Sequence, residues 1–391
     1  MKNVRIIIFY SDLPDLRYFY DRLVDCAKQK GIDYLIADVL DPDSYAADRL
    51  LDFIKDEPAV MFTFNQSGIG LINEGENFWK KYGIPVYDFT EDHPRNFADA
   101  LLHPMCDISV FSLDLDHIAF IDRFYPEIKR KYFLPNGGTK VSGFKSFKER
   151  SMNVLYMGGC QREETIFPTI EGLPNGGLSF YHDTIDMMKY QPDLTTEKAI
   201  DRYFSDHSYA ISEDDILKLN LIPAGFIERQ VRRYFKLMGM HALDDAGIDV
   251  DIYGSNWEDE DRPFSDRIRM HSRISSSELN CMICDARMSL CFTPWYKRGC
   301  SEKQFNAMLN GALCISDRNS YLDINYRDGE NIVFFDLNNP EQMAADAVWL
   351  LDHPDAAEQI AYRGYETAIK YDTWEKRFDS IIEYIKLRHD I

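Results

Sequence analysis

Over roughly the first 145 residues, short apolar runs alternate with amphipathic stretches. VRIIIFY (4–10) predicts a strand, and LRYFYDRLVDCAKQKG (16–31) predicts a helix closed by glycine. DYLIADV, AVMFTFN, IPVYDFT and DISVFSLD predict further strands, with helical segments near 43–56, 72–82, 93–102 and 117–129 between them. Near-continuous apolar strands in this rhythm call for a parallel sheet covered on both faces. Ligands of such sheets bind beyond the carboxyl ends of the strands, so the polar loops there are where function belongs.

Asn136, Gly137 and Gly138, followed by TKVSGFKSFKERS, carry turn residues without periodicity and predict a linker. MNVLYMGG then restarts an α/β pattern, which divides the chain into domains 1–148 and 149–391. From about 167 to 222 prolines and glycines break the strand rhythm, predicting a mostly helical insertion with pieces near 195–206 and 212–220. It reads as an acceptor-shaping lid or as structural packing. GFIERQVRRYFKLMGMHALDDAG predicts a long amphipathic helix closed by Gly247. Strands at IDVDIYGSNW, SLCFTPW, GALCISD and NIVFFD follow, and helices over 340–352, 354–370 and 373–388 finish the chain. The expected architecture is two α/β sheets with a cleft between them.

The stretch Gly299–Asp317, GCSEKQFNAMLNGALCISD, organises the second half. Ser301 is a good N-cap, Gln304 three residues on matches a capping box, and a helix starts at Glu302. Phe305, Met308, Leu309 and Ala312 mark one buried face. A helix start gathers unpaired N–H groups and about half a positive charge, which suits an anion. Lys297, Arg298, Gly299, Cys300 and Lys303 surround it, so the entry reads either as a well-capped helix with basic neighbours or as a phosphate site. Gly158 and Gly159, at the end of the strand that opens the second unit, permit close backbone approach to a ligand, and Arg162 follows them.

With 391 residues, 45% of them apolar and 14% aromatic, the chain can bury a large interior. No run nears the roughly 18 apolar residues of a membrane span, and MKNVRIIIFYSD lacks the pattern of a signal peptide. A cytoplasmic location is expected. The eight cysteines suit reduced thiols, and the CxxC of Cys281 and Cys284 reads as buried small hydrophobes rather than zinc ligands. A formal charge of −21, from 44 basic and 65 acidic residues, repels a nucleic-acid backbone. Screening over about 8 Å still lets a few local cations bind a small anion.

Candidate general bases in the N-terminal loops are Asp92, His93 and His117. His93 before Pro94 can equally mark a helix start. Asp114-Leu115-Asp116 has the form of a cation-binding DxD but reads as helix-capping, since a second α/β unit has no place in the fold that uses that motif.

At this point the chain resembles the GT-B-fold bacterial glycosyltransferases, and most closely the CgeB-like group. The resemblance rests on NVLYMGG, on Gly254 and Trp257 of a Gly-x-x-Trp strand end, and on Phe305-Asn306-Ala307-Met308 with Gly311-Ala312. It also rests on the strand Asp328 to Val333 and the helix Tyr371 to Arg377, and it covers about 150–391. It implies two Rossmann-like domains facing a cleft, a C-terminal helix crossing back, and a hexosyl-type sugar transfer from a nucleotide-diphosphate sugar. Glycan, lipid-linked sugar or protein would be the acceptor, in bacterial glycan biosynthesis, with no cofactor and no metal. The second domain would hold the donor, with Gly254, Trp257 and Asn306 among its contacts. Asn306 stands where the family usually has a carboxylate on the ribose, and Glu302 lies one turn earlier on the same flank. A catalytically silent module that binds a partner or glycan, and a nucleotide-sugar epimerase of the same fold, are the alternatives.

Overall fold

The computed structural model describes residues 5–141, 143–161, 175–259 and 261–389; Arg162 and residues 167–174 of the expected insertion lie outside them. The chain divides into two compact units, Met1–Gly137 with Asp372–Ile391, and Gly138–Tyr371.

The first unit contains β1 (Arg5–Tyr10), β2 (Tyr34–Asp38), β3 (Ala59–Phe64), a small hairpin of β4 (Ile72–Asn73) and β5 (Glu76–Asn77), then β6 (Val86–Thr90), β7 (Ile108–Ser112) and β8 (Arg130–Phe133). Its main sheet runs β2-β1-β3-β6-β7-β8, parallel throughout. Strands β3, β6 and β7 are buried along their whole length, as central strands of a sheet covered on both faces must be. The helix Pro14–Lys30 buries Leu16, Phe19, Tyr20, Leu23, Val24 and Ala27 and ends at Gly31. There the left-handed φ of 62° lets the Gly31 N–H reach the carbonyls of the last turn.

The C-terminal helix Trp374–His389 returns to this first unit, which is the crossing-back that the sequence led us to expect. Trp374 is 2% exposed, with its ring 5.2 Å from Phe19 and 6.1 Å from Phe64. Tyr384 packs on Tyr132 at 4.4 Å and on Phe111 at 5.8 Å. Buried Arg377 donates to Asp372 at 2.6 Å and to the Asn136 carbonyl at 3.1 Å. An aromatic anchor of this kind is worth about 3–5 kcal/mol when truncated.

The second unit holds β9 (Met152–Met157), β10 (Val250–Tyr253), β11 (Ile268–His271), β12 (Ala286–Cys291), β13 (Leu313–Asp317) and β14 (Val333–Phe335), in the order β11-β10-β9-β12-β13-β14 and again parallel. The helices Asn175–Tyr190, Thr196–Asp206 and Glu213–Leu221 pack against one another and against the helix Pro223–Asp245.

Four details differ from expectation. The segment 72–82 opens as the β4–β5 hairpin, leaving a helix only at Phe78–Lys81. Residues 130–133, which were not expected to be a strand, form the edge strand β8; Arg130 and Lys131 pair with Asp107 and Asp122, and charged side chains of this kind hide an edge strand from an apolar pattern. Cys281 is exposed and Cys284 half-buried, because their helix Ser276–Ile283 ends early and β12 already begins at Ala286. The units part after Gly137 rather than at 148. Thr139 N donates to Asn306 Oδ1 at 2.7 Å and Val141 N to Asn310 Oδ1 at 2.8 Å, which ties this segment to the second unit.

Candidate functional site

The chain leaves β9 for β10 and β11 on one side of the second sheet and returns to β12 on the other. The loops at the carboxyl ends of β9 and β12 therefore diverge, which is the switch point where open parallel sheets bind ligands.

At that edge the structure brings together Gly158, Gly159, Gly254 and Trp257. Gly158 N donates to the Tyr253 carbonyl at 3.0 Å, and Trp257 Nε1 donates to the Gly158 carbonyl at 2.8 Å. A Cβ on Gly254 would lie 2.2 Å from the Gly158 oxygen, so the two loops can meet this closely only at a glycine. Trp257 is 1% exposed and packs edge-on against Tyr156 at 5.1 Å. It braces the loop and offers no face to a base or sugar. The buried Tyr156 hydroxyl has no hydrogen-bond partner among the described residues and lies 3.6 Å from the place a Cβ on Gly158 would take.

Two lysines converge on the same loop. Lys303, in the first turn of the helix Glu302–Leu309, donates to the Met157 carbonyl at 3.1 Å; Lys236, from the helix Pro223–Asp245, donates to the Gly159 carbonyl at 2.8 Å. Arg232, one turn before Lys236, lies over the Trp295 ring at 3.8 Å from its centroid. Burial, then repulsion from Lys303 and Arg232, pushes the Lys236 ammonium down to about 7. A bound anion would relieve both costs.

The start of the helix Glu302–Leu309 differs from a reciprocal capping box. Ser301 Oγ accepts from Lys303 N at 3.4 Å and donates to Gln304 Oε1 at 3.2 Å. Gln304 turns inward, its Nε2 reaching Thr293 Oγ1 at 3.0 Å and Ser316 Oγ at 3.2 Å. Thr293 in turn donates through N and Oγ1 to Asp317 at 2.6 and 3.2 Å, and burial pushes that carboxyl up to about 6. This network locks the β12 loop onto β13.

The remaining predicted donor residues separate. Lys297 directs its ammonium to the carbonyls of Pro192 and Pro294. Gly299 is buried, and Cys300 joins a core cluster with Cys291, Phe305 and Cys314. Arg298 and Glu302 are half-buried. Asn306 binds the backbone of Thr139, and Asn310, one turn on, receives Val141 N and donates to the Thr139 carbonyl at 2.9 Å.

In the first unit, the rings of His93 and His117 touch at 4.4 Å, with Phe120 4.8 Å from His93. His93 caps the turn Pro94–Phe97, its Nδ1 accepting from Arg95 N at 3.1 Å. In the neutral ring this leaves the proton on Nε2 and no lone pair for an acceptor's proton. His117 is buried, while Asp92 is exposed. Asp114 caps the helix Leu115–Phe124 through Asp116 N at 2.7 Å, as the capping reading of the DxD expects.

Sequence reasoning missed Lys236 and Arg232. Their signal was the i, i+4 spacing of Arg232 and Lys236 within RQVRRYFK, which puts both on one side of an amphipathic helix.

Residues 232–383 match the family model described as glycosyl transferase-like. No curated protein matches the chain. Among solved structures, an alpha-glucosyltransferase in complex with UDP and a 13-mer DNA is similar at TM-score 0.55 and 13% identity, covering 98% of this chain and 99% of that one. A sucrose-phosphate synthase from Thermosynechococcus elongatus is similar at TM-score 0.54 and 12% identity, with 100% of both chains covered. AviGT4, a glycosyltransferase involved in avilamycin A biosynthesis, is similar at TM-score 0.52 and 10% identity, covering 98% of this chain and 97% of that one. The two parallel six-stranded sheets are thus those of the GT-B fold.

Proposed function

We propose that this chain is a metal-independent glycosyltransferase that moves a hexosyl group from a nucleoside-diphosphate sugar to a hydroxyl of a glycan, lipid-linked sugar or protein. The observation that carries the proposal is the meeting of Lys303 and Lys236, both in the segment that matches the glycosyl transferase-like family model, on the Met157–Gly159 backbone at the switch point of the sheet. In the reaction the bond from the sugar's anomeric carbon to the diphosphate breaks, the acceptor oxygen bonds to that carbon, and the acceptor proton passes to a base. Negative charge grows on the leaving diphosphate. Fixed cations and a helix start meet it without reorganisation, which is the efficient form of electrostatic catalysis. Asp92, the exposed member of the candidate bases, is the one we assign to the acceptor proton.

UDP is the first nucleotide to test, because the alpha-glucosyltransferase of the same fold was solved with it. That structure also holds DNA, but a chain with a formal charge of −21 does not suit a nucleic-acid acceptor. Calorimetry of the full chain with UDP, GDP, TDP and ADP should show one of them binding, and the matching sugar donor should be hydrolysed slowly without acceptor. Failure of all four to bind at millimolar concentration would overturn the proposal.

A silent GT-B module is the second reading, favoured by one observation: Asn306, where the resembled family has a carboxylate, uses its side-chain oxygen on Thr139 N. Turnover of any donor by the purified chain alone would exclude it.

A further inference from the structure

The helix Pro223–Asp245 presents two working faces. At 100° per residue, positions 230, 234, 237 and 241 lie roughly opposite the Arg232–Lys236 side. On that opposite side a cavity of about 630 Å³ opens against the helix Pro340–Asp352 and Lys189. Its volume falls within the roughly 300–1,000 Å³ typical of small-molecule sites.

Leu237, Ala242, Pro340 and Ala344 give the cavity an apolar wall. Gln230 lines it too; the residue is 6% exposed, and its Nε2 has no hydrogen-bond partner among the described residues. A buried amide donor left without an acceptor bears its desolvation cost with no return, so a ligand atom that accepts there is what the position lacks. The charged lining is Lys189, Arg233 and Arg262 against Asp245 and Glu341, an excess of one cation in a chain of formal charge −21. Arg262 is spent on both oxygens of Asp245 at 2.6 Å. His241 is held by Asp259 at 2.9 Å and stacked on Phe264 at 4.3 Å. Lys189 lies 4.8 Å above the Tyr234 ring and 3.4 Å from Asp186, and Arg233 directs Nη1 to the Gln161 carbonyl at 3.3 Å; together with Glu341 these two cations set the local sign.

We propose that this cavity is a second small-molecule site, separate from the basic loop, for an amphiphilic anion whose apolar body lies on the Leu237–Ala344 wall. Its head, a carboxylate or a phosphate monoester, accepts from Gln230 and pairs with Arg233 or Lys189.

The test uses the full chain and the dye 8-anilinonaphthalene-1-sulfonate, with decanoate and decyl phosphate as competitors. One saturable dye site is expected, undisturbed by UDP and displaced by decanoate, decyl phosphate or both. Ala345→Trp, on the exposed rim of the cavity, should weaken dye binding at least tenfold with an unchanged circular dichroism spectrum. Gln230→Leu should weaken the displacing competitor at least threefold. The proposal is overturned if the dye shows no saturable site, if UDP displaces it, if neither competitor does, or if the folded Ala345→Trp chain binds it like the wild type. Unchanged competitor affinity in Gln230→Leu also overturns it.

Discussion

Binding of a diphosphate at the β9 loop should be controlled by the protonation of Lys236. This ammonium titrates at about 7, far below its ordinary 10.5, because it is buried and faces Lys303 and Arg232. Burial pushes the neighbouring Cys160 thiol and Tyr156 hydroxyl up, away from neutral pH, and UDP's terminal phosphate is largely ionised above about pH 7. Lys236 is therefore the group whose charge changes across that range. Burial and like charges disfavour its protonated form and an anion favours it, so binding takes up a proton and weakens as pH rises. About half of the lysine is charged at pH 7 and about one part in a hundred at pH 9, so the apparent Kd for UDP should rise roughly 50-fold between them. In free energy the charged form costs about 1.4 kcal/mol more for each pH unit above 7. Calorimetry in buffers of differing ionisation enthalpy measures both the Kd and the proton uptake. In Lys236→Met the affinity should be lower and flat from pH 7 to 9. A flat wild-type profile, or an equal slope in Lys236→Met, would refute the assignment of the diphosphate to this loop.

Lys303→Ala should weaken UDP by about 1.5–3 kcal/mol, roughly 10- to 150-fold, as a charge-assisted partner does, and the loss should appear in a direct titration at pH 7. Lys297→Ala should instead lower chemical-denaturation stability by about 1–3 kcal/mol, because its ammonium serves the Pro192 and Pro294 carbonyls; a UDP affinity reduced more than threefold would contradict this. Asn306→Leu strands Thr139 N and should cost about 1–3 kcal/mol of stability, whereas Asn306→Asp, which keeps the acceptor, should cost less; urea unfolding of the two variants decides. Trp374→Ala should destabilise the first unit by about 3–5 kcal/mol, read as an earlier thermal transition that UDP does not restore.

Much of the architecture was legible in the residue pattern. Long apolar strands such as AVMFTFN and MNVLYMGG, and helices closed by Gly31 and Gly247, declare themselves locally, because burial of a strand or of a helix face is written in neighbouring residues. The edge strand Arg130–Phe133 escaped that pattern since an edge is half polar, and the hairpin at 72–77 escaped it since two-residue strands have no period. The helix start at Ser301–Glu302 was also readable; Gly158 and Gly159 read only as allowing close approach to a ligand, and that Gly254 packs against the Gly158 carbonyl is visible only in the fold.

The sequence by itself determined two parallel α/β sheets, their order of assembly along the chain, and a concentration of basic residues around the helix Glu302–Leu309. Which cations face the Met157–Gly159 loop was decided by tertiary structure alone. Lys297, beside the helix start in sequence, is drawn to two carbonyls, while Lys236, remote in sequence from both Gly159 and Lys303, is carried to the loop by a helix packed on the sheet. A side chain's partner depends on where its backbone is held in three dimensions, and a periodic pattern records only which face is buried.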